Sequence, residues 1–174
     1  MRTSVLSCLL FFSFLAAAVA QPATLPAPII VETQHVSVVL TVGENQKLYQ
    51  TYLGTKLADA ADYRRLPNRH EAYVTAGTDN LFEPAIRLLH PDGNPSLALV
   101  FADKQVRKMD DNVTETIIRL RDPQYPVEVT LHFAAFFRED VIKTWTEIRH
   151  REKSRWCSRA TLRPCCTSTR ASTG

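Results

Sequence analysis

Between Ile29 and Ile148 apolar side chains recur mostly at every second position. That period places them on one face of an extended strand and fits no helix of 3.6 residues per turn. Val36, Val38, Leu40 and Val42 alternate with Ser37, Val39 and Thr41, and Val127, Val129, Leu131, Phe133, Ala135 and Phe137 alternate with Glu128, Thr130 and His132. Shorter runs of the same kind cover Lys47 to Leu53, Ala72 to Ala76, Ala85 to His90, Leu97 to Phe101, Thr114 to Leu120 and Val141 to Ile148. Turn formers separate them, among them Gly43-Glu44-Asn45, Gly54, Pro67-Asn68, Pro91-Asp92-Gly93-Asn94-Pro95, Asp110-Asp111-Asn112 and Asp122-Pro123. About eight to ten strands at this spacing predict two antiparallel sheets packed face to face, an all-β sandwich. Lys56 to Arg65 is the one helix-compatible stretch and reads as a short connector. With 174 residues, 45% of them hydrophobic, the chain has material for one ordinary core.

The first twenty residues set the expected compartment. Arg2 supplies a positive start, Val5 to Val19 form an apolar run, and Ala18-Val19-Ala20 offers small residues for cleavage. This predicts a secretory signal peptide over residues 1–20 and a secreted or periplasmic mature chain. The Pro-rich linker of residues 21–28 cannot extend the run into a spanning helix, so no membrane association is expected after cleavage.

Charge and metal-ligand spacing exclude several function classes. The net charge of +3 comes from Arg155, Arg159, Arg163 and Arg170, and without them 17 basic residues face 18 acidic ones. A nucleic-acid binder needs a basic stripe on its folded surface, so none is expected as a partner. The cysteines outside the signal, Cys157, Cys165 and Cys166, match no zinc spacing. His70-Glu71 opens like a zincin helix, but the second histidine would fall at Val74. His35, His70, His90, His132 and His150 have no ligand spacing, and Asp110-Asp111 reads as a turn rather than a calcium loop. No metal or cofactor is expected. Asn112-Val113-Thr114 is a glycosylation sequon if the host is eukaryotic.

Three strings go further: Gly77-Thr78-Asp79-Asn80-Leu81-Phe82-Glu83-Pro84-Ala85-Ile86-Arg87 with the nearby His90-Pro91-Asp92-Gly93-Asn94, Asp140 to Ile148 with its Trp145-Thr146-Glu147-Ile148, and Leu48 to Gly54. Together they resemble the amino-terminal domain of glycoside hydrolase family 36, the α-galactosidases, over residues 29–153. The resemblance implies a large antiparallel supersandwich, like that of galactose mutarotases, ahead of a catalytic (β/α)8 barrel that these 174 residues do not contain. It implies an α-galactoside as the carbohydrate partner and allows a homo-oligomer. Retaining hydrolysis needs two carboxyl groups about 5 Å apart, and in the family both come from the barrel, so no residue here is expected to be catalytic. The loop from Gly77 to Pro84 can approach substrate in the family, which makes Asp79, Asn80 and Phe82 candidate substrate contacts. The alternative is a plain turn with Phe82 plugging the core. A stand-alone carbohydrate-binding sandwich, with Tyr49, Tyr52, Tyr73 or Trp145 stacking on sugar rings, is the second functional reading, and a ligand-free subunit-contact module the third.

From Ser154 the alternation stops, and all three late cysteines and four unpaired arginines follow. If the reading frame slips there, Trp156-Cys157 forces Val, Cys165-Cys166 forces Leu and Cys166-Thr167 forces His or Tyr. Allowed codons then complete Pro-Val-Val-Leu-Ser-Arg-Tyr-Ala, which resembles the family's next strand. The sequence thus predicts a frameshifted tail over residues 154–174, without packing pattern and with reactive thiols, against the alternative of a natural basic tail.

Overall fold

A computed structural model describes residues 26–67, 70–78, 81–151 and 157–158. Among them lie ten strands, one 3-10 turn and no α-helix: β1 Ile29–Glu32, β2 Val36–Val42, β3 Leu48–Thr55, the 3-10 turn Asp62–Arg65, β4 His70–Glu71, β5 Leu88–Leu89, β6 Val100–Lys108, β7 Val113–Arg121, β8 Val127–Phe136, β9 Val141–His150 and β10 Cys157–Ser158. Strands β1-β2-β3-β4 form one antiparallel sheet and β6-β7-β8-β9 the other, while β10 pairs with β5.

The two sheets share one core. Val31, Val38, Leu40 and Leu48 of the first sheet pack with Ile118, Leu120, Val129 and Leu131 of the second, and Ile86, Leu97 and Leu99 close the gap from the connecting segments. Removing such side chains from water stabilises the fold by about 1.5–3 kcal/mol each. In the second sheet the register aligns Leu120 with Val129 and Ile118 with Leu131, so the alternation in both strands points the same way.

The structure departs from simple alternation at three places. In β2 the run from Ser37 to Leu40 is buried on both faces. The connector 56–67 folds back over the outer face, where Tyr63 is 1% exposed and its hydroxyl donates to Ser37 Oγ at 2.9 Å. The strand expected at Leu97 to Phe101 instead starts at Val100 and runs on through Asp103 to Lys108, almost wholly exposed. Pairing with β7, rather than burial, makes that segment a strand, and a register shift between Phe101 and Asp103 marks where it leaves the core. Beyond Ser154, Cys157 and Ser158 pair with Leu89 and Leu88, so regular backbone pairing resumes within the stretch expected to lack it. The signal segment and the rest of the tail lie outside the described residues. Among the described residues no helix is long and apolar enough to cross a membrane.

Candidate functional site

The loop singled out by sequence leaves and rejoins the sandwich through a tight backbone clasp. Thr75 and Ile86 form a parallel bridge, Ala76 N–H donates to Ile86 O at 3.1 Å, and Ala85 N–H donates to Val74 O at 2.9 Å. Leu97 N–H donates to Ala76 O at 3.2 Å, while the buried Thr75 hydroxyl donates to Leu97 O. Gly77 turns the chain outward with a φ of 76°, and a Cβ there would stand 2.6 Å from Ser96 Cα. Only glycine satisfies both the left-handed backbone and the close approach.

Past that turn the chain displays apolar groups to solvent. Leu81 is fully exposed and Phe82 is 60% exposed, its ring meeting His70 edge-on with centroids 5.5 Å apart. Phe82 therefore does not plug the core, and that alternative is corrected: from this segment it is Ile86 that is buried in the core. Glu83 accepts from Arg87 at 2.9 Å across the loop's return. Asp79 and Asn80 lie outside the described residues.

A second cluster braces the neighbouring turn. The ring of His90 stacks on Tyr125 at 3.6 Å, Asn94 Nδ2 donates to the Tyr125 hydroxyl at 2.8 Å, and that hydroxyl donates to Asp92 at 2.8 Å. The backbone N–H of Asn94 and then the Tyr125 hydroxyl hold the Asp92 carboxyl below its ordinary pKa, and the Asp92 acceptor holds the phenol above its own. A general acid needs the opposite, a carboxyl that keeps its proton near neutral pH. Asp122 is likewise engaged, accepting from the backbone N–H groups of Ala98, Gln124 and Tyr125. These carboxylates order turns, and among the described residues no group of His, Cys, Asp and Glu is arranged to hold a metal ion. The expected turn at Asp110 has the same character, with its carboxylate accepting from Asn112 and Val113 N–H.

The other aromatic candidates separate cleanly. Tyr52 tilts against Tyr63 and donates to Thr55 O, Tyr49 accepts from Asn45, and Tyr73 packs against the core, where burial raises its pKa. Trp145 is 37% exposed on the outer face of the second sheet and lies flat against His132. The grouping of the carboxylates Glu115 and Glu147 around His132 escaped sequence reasoning. They meet only once the pairing of β7, β8 and β9 is known, and no local spacing encodes that register.

Comparison with known proteins follows the same lines. A family model described as the glycosyl hydrolase family 36 N-terminal domain matches residues 28–160. Among solved structures, a variant of the α-galactosidase AgaA from Geobacillus stearothermophilus in complex with raffinose is similar, with a TM-score of 0.65 and 16% identity over 75% of this chain and 23% of that one. The α-galactosidase from Lactobacillus brevis gives 0.59 and 15% identity over 70% and 21%. The galactosidase domain of the α-galactosidase-sucrose kinase AgaSK gives 0.58 and 20% identity over 70% and 23%. The chain thus spans under a quarter of the length of these structures. No curated protein sequence matches significantly.

Proposed function

Since the chain belongs to the glycosyl hydrolase family 36 N-terminal domain family, we propose that it is the amino-terminal sandwich of an exported α-galactosidase, which serves an active site built elsewhere and hydrolyses nothing alone. The observation that carries this reading is the family match itself, which takes in every strand of both four-stranded sheets. The chemistry agrees with it. Hydrolysis with retention needs a nucleophile and a protonated acid fixed about 5 Å apart, whereas the turn carboxylates Asp92 and Asp140 are held toward their ionised forms by donors.

Within that reading the loop from Gly77 to Pro84 is the part that meets substrate. Its clasped base fixes the direction of exit, Phe82 supplies an aromatic ring 60% exposed, and Asp79 and Asn80 supply polar groups for sugar hydroxyls. The predicted signal over residues 1–20 would deliver the protein outside the cytoplasm, and the codon pattern after Ser154 is read as a slipped frame ahead of a barrel-coding segment.

The test is to read the DNA beyond codon 153 in all three frames, express the frame-restored product, and assay both proteins on an α-galactoside reporter. The longer protein should cleave with retained configuration and the 174-residue chain should not. In the longer protein Phe82→Ala should raise KM roughly tenfold, the loss of about one aromatic contact. Turnover by the short chain would overturn the proposal.

A further inference from the structure

The outer face of the second sheet carries an arrangement that burial does not explain. The pairing aligns Gln105, Ile117, His132 and Trp145 in one row across all four strands. His132 is 9% exposed, Glu115 Oε1 lies 2.8 Å from its Nδ1, and its indole neighbour stacks on it at 4.6 Å with the planes 9° apart. Its Nε2 is buried without a hydrogen-bond partner among the described residues and faces Glu147 Oε1 at 3.7 Å. A histidine pinned in this way makes a stiff backing for the indole.

Trp145 stands on β9, the last strand of the sheet among the described residues, and one face of its ring meets His132. Lys143 reaches over the ring at 5.7 Å from an exposed position. Lys143 and Glu147 flank Trp145 two residues away on the same face, each about 7 Å along the strand, which is on the order of one pyranose ring. Glu147 is further steadied by Arg149 at 3.4 Å. A sugar whose C–H face takes the place of the exposed Lys143 ammonium over this stiffly backed ring would find a donor in Lys143 and an acceptor in Glu147 for its hydroxyls at the rim.

We propose that Trp145, backed by His132 and flanked by Lys143 and Glu147, forms a saccharide-binding platform separate from the loop that carries Phe82. Saturation-transfer NMR on the full 174-residue chain with raffinose, titrated across the millimolar range, tests it. Transfer to the sugar protons is expected. In Trp145→Ala affinity should fall about tenfold, the loss expected for one stacked ring. Glu147→Gln, which keeps the side chain's shape, should weaken binding by a smaller factor. Circular dichroism checks that each variant is folded. Should Trp145→Ala not fold, Glu147→Gln decides, together with a saturable raffinose-induced emission shift in Trp156→Phe, where Trp145 is the remaining tryptophan. Absence of transfer, or transfer undiminished in the Trp145 and Glu147 variants, would overturn the platform.

Discussion

Asp140 holds the turn between β8 and β9 to the turn between β1 and β2, and so ties one sheet to the other. Its carboxylate accepts from the Thr33 hydroxyl and from His35 N–H at 2.9 Å, and His35 Nδ1 lies 3.2 Å away. The Thr33 donor, then the His35 backbone, lowers its pKa. A carboxyl depressed on folding stabilises the native state above its unfolded pKa of about 3.9 and loses that contribution as pH falls through the folded value. The melting temperature of Asp140→Asn should therefore lie below that of the parent at pH 7 and converge with it under strong acid. Asparagine tolerates the φ of 57° at this position, so the comparison isolates charge. A gap that stays constant down to low pH would show that the charge is not what matters. Glycine substitutions give a second residue-scale test. Gly77→Ala should cost roughly 1–3 kcal/mol, because strain at positive φ adds to the clash with Ser96. Gly93→Ala, at φ 86° with open space around it, should cost about 1 kcal/mol. Chemical denaturation of the two variants gives the difference directly.

At the scale of the strand, burial decides what a side chain is worth. Leu40 in β2 is wholly buried in the shared core, so Leu40→Ala should destabilise by about 2–5 kcal/mol in urea titration. Val106 in β6 is 57% exposed, and Val106→Ala should stay within about 0.5 kcal/mol of the parent. This contrast also explains what the sequence makes legible. The runs at Val36 to Val42 and Val127 to Phe137 read as strands because each has a face in the core, and β2 and β8 stand there. The charged stretch from Asp103 to Lys108 has no such face, and its strand character comes from β7 beside it, which no local pattern records. Ala72 to Ala76 reads as a strand and yields one bridge at Thr75, because the clasp around Gly77 redirects the chain. The candidate loop is legible for a different reason: its string of types resembles a known domain, while no local pattern records that Ile86 is buried and Phe82 exposed. The His132 and Trp145 stack is hidden in sequence because its partners sit on three strands.

For the molecule as a whole, the open question is what its sheet edges meet in solution. Within the second sheet β6 and β9 are the terminal strands, nine and ten residues long and largely exposed. Exposed Met109, Phe137 and Val141 gather where the two hairpin turns touch, since Phe137 N–H donates to Asn112 O and the Asn112 side chain donates to Glu139. Long edges with apolar ends template pairing with other chains. Both edges are net positive, β6 with Lys104, Arg107 and Lys108 against Asp103 and β9 with Lys143 and Arg149 against Glu147, and like net charge opposes edge-to-edge approach. Surface repulsion of this kind is screened within about 10 Å at 0.1 M salt and within about 3 Å at 1 M. The chain should therefore self-associate more strongly as salt rises, and bind a hydrophobic dye at any salt. Sedimentation velocity at low and high ionic strength measures the first and dye fluorescence the second. Replacing Val106 and Val141 by lysine should suppress association at both salts, because it adds charge to each edge and removes exposed apolar area. Association that weakens with salt would point to opposite charges meeting across the contact, and a monomer at every salt would show that the edge cations suffice to keep the strands apart.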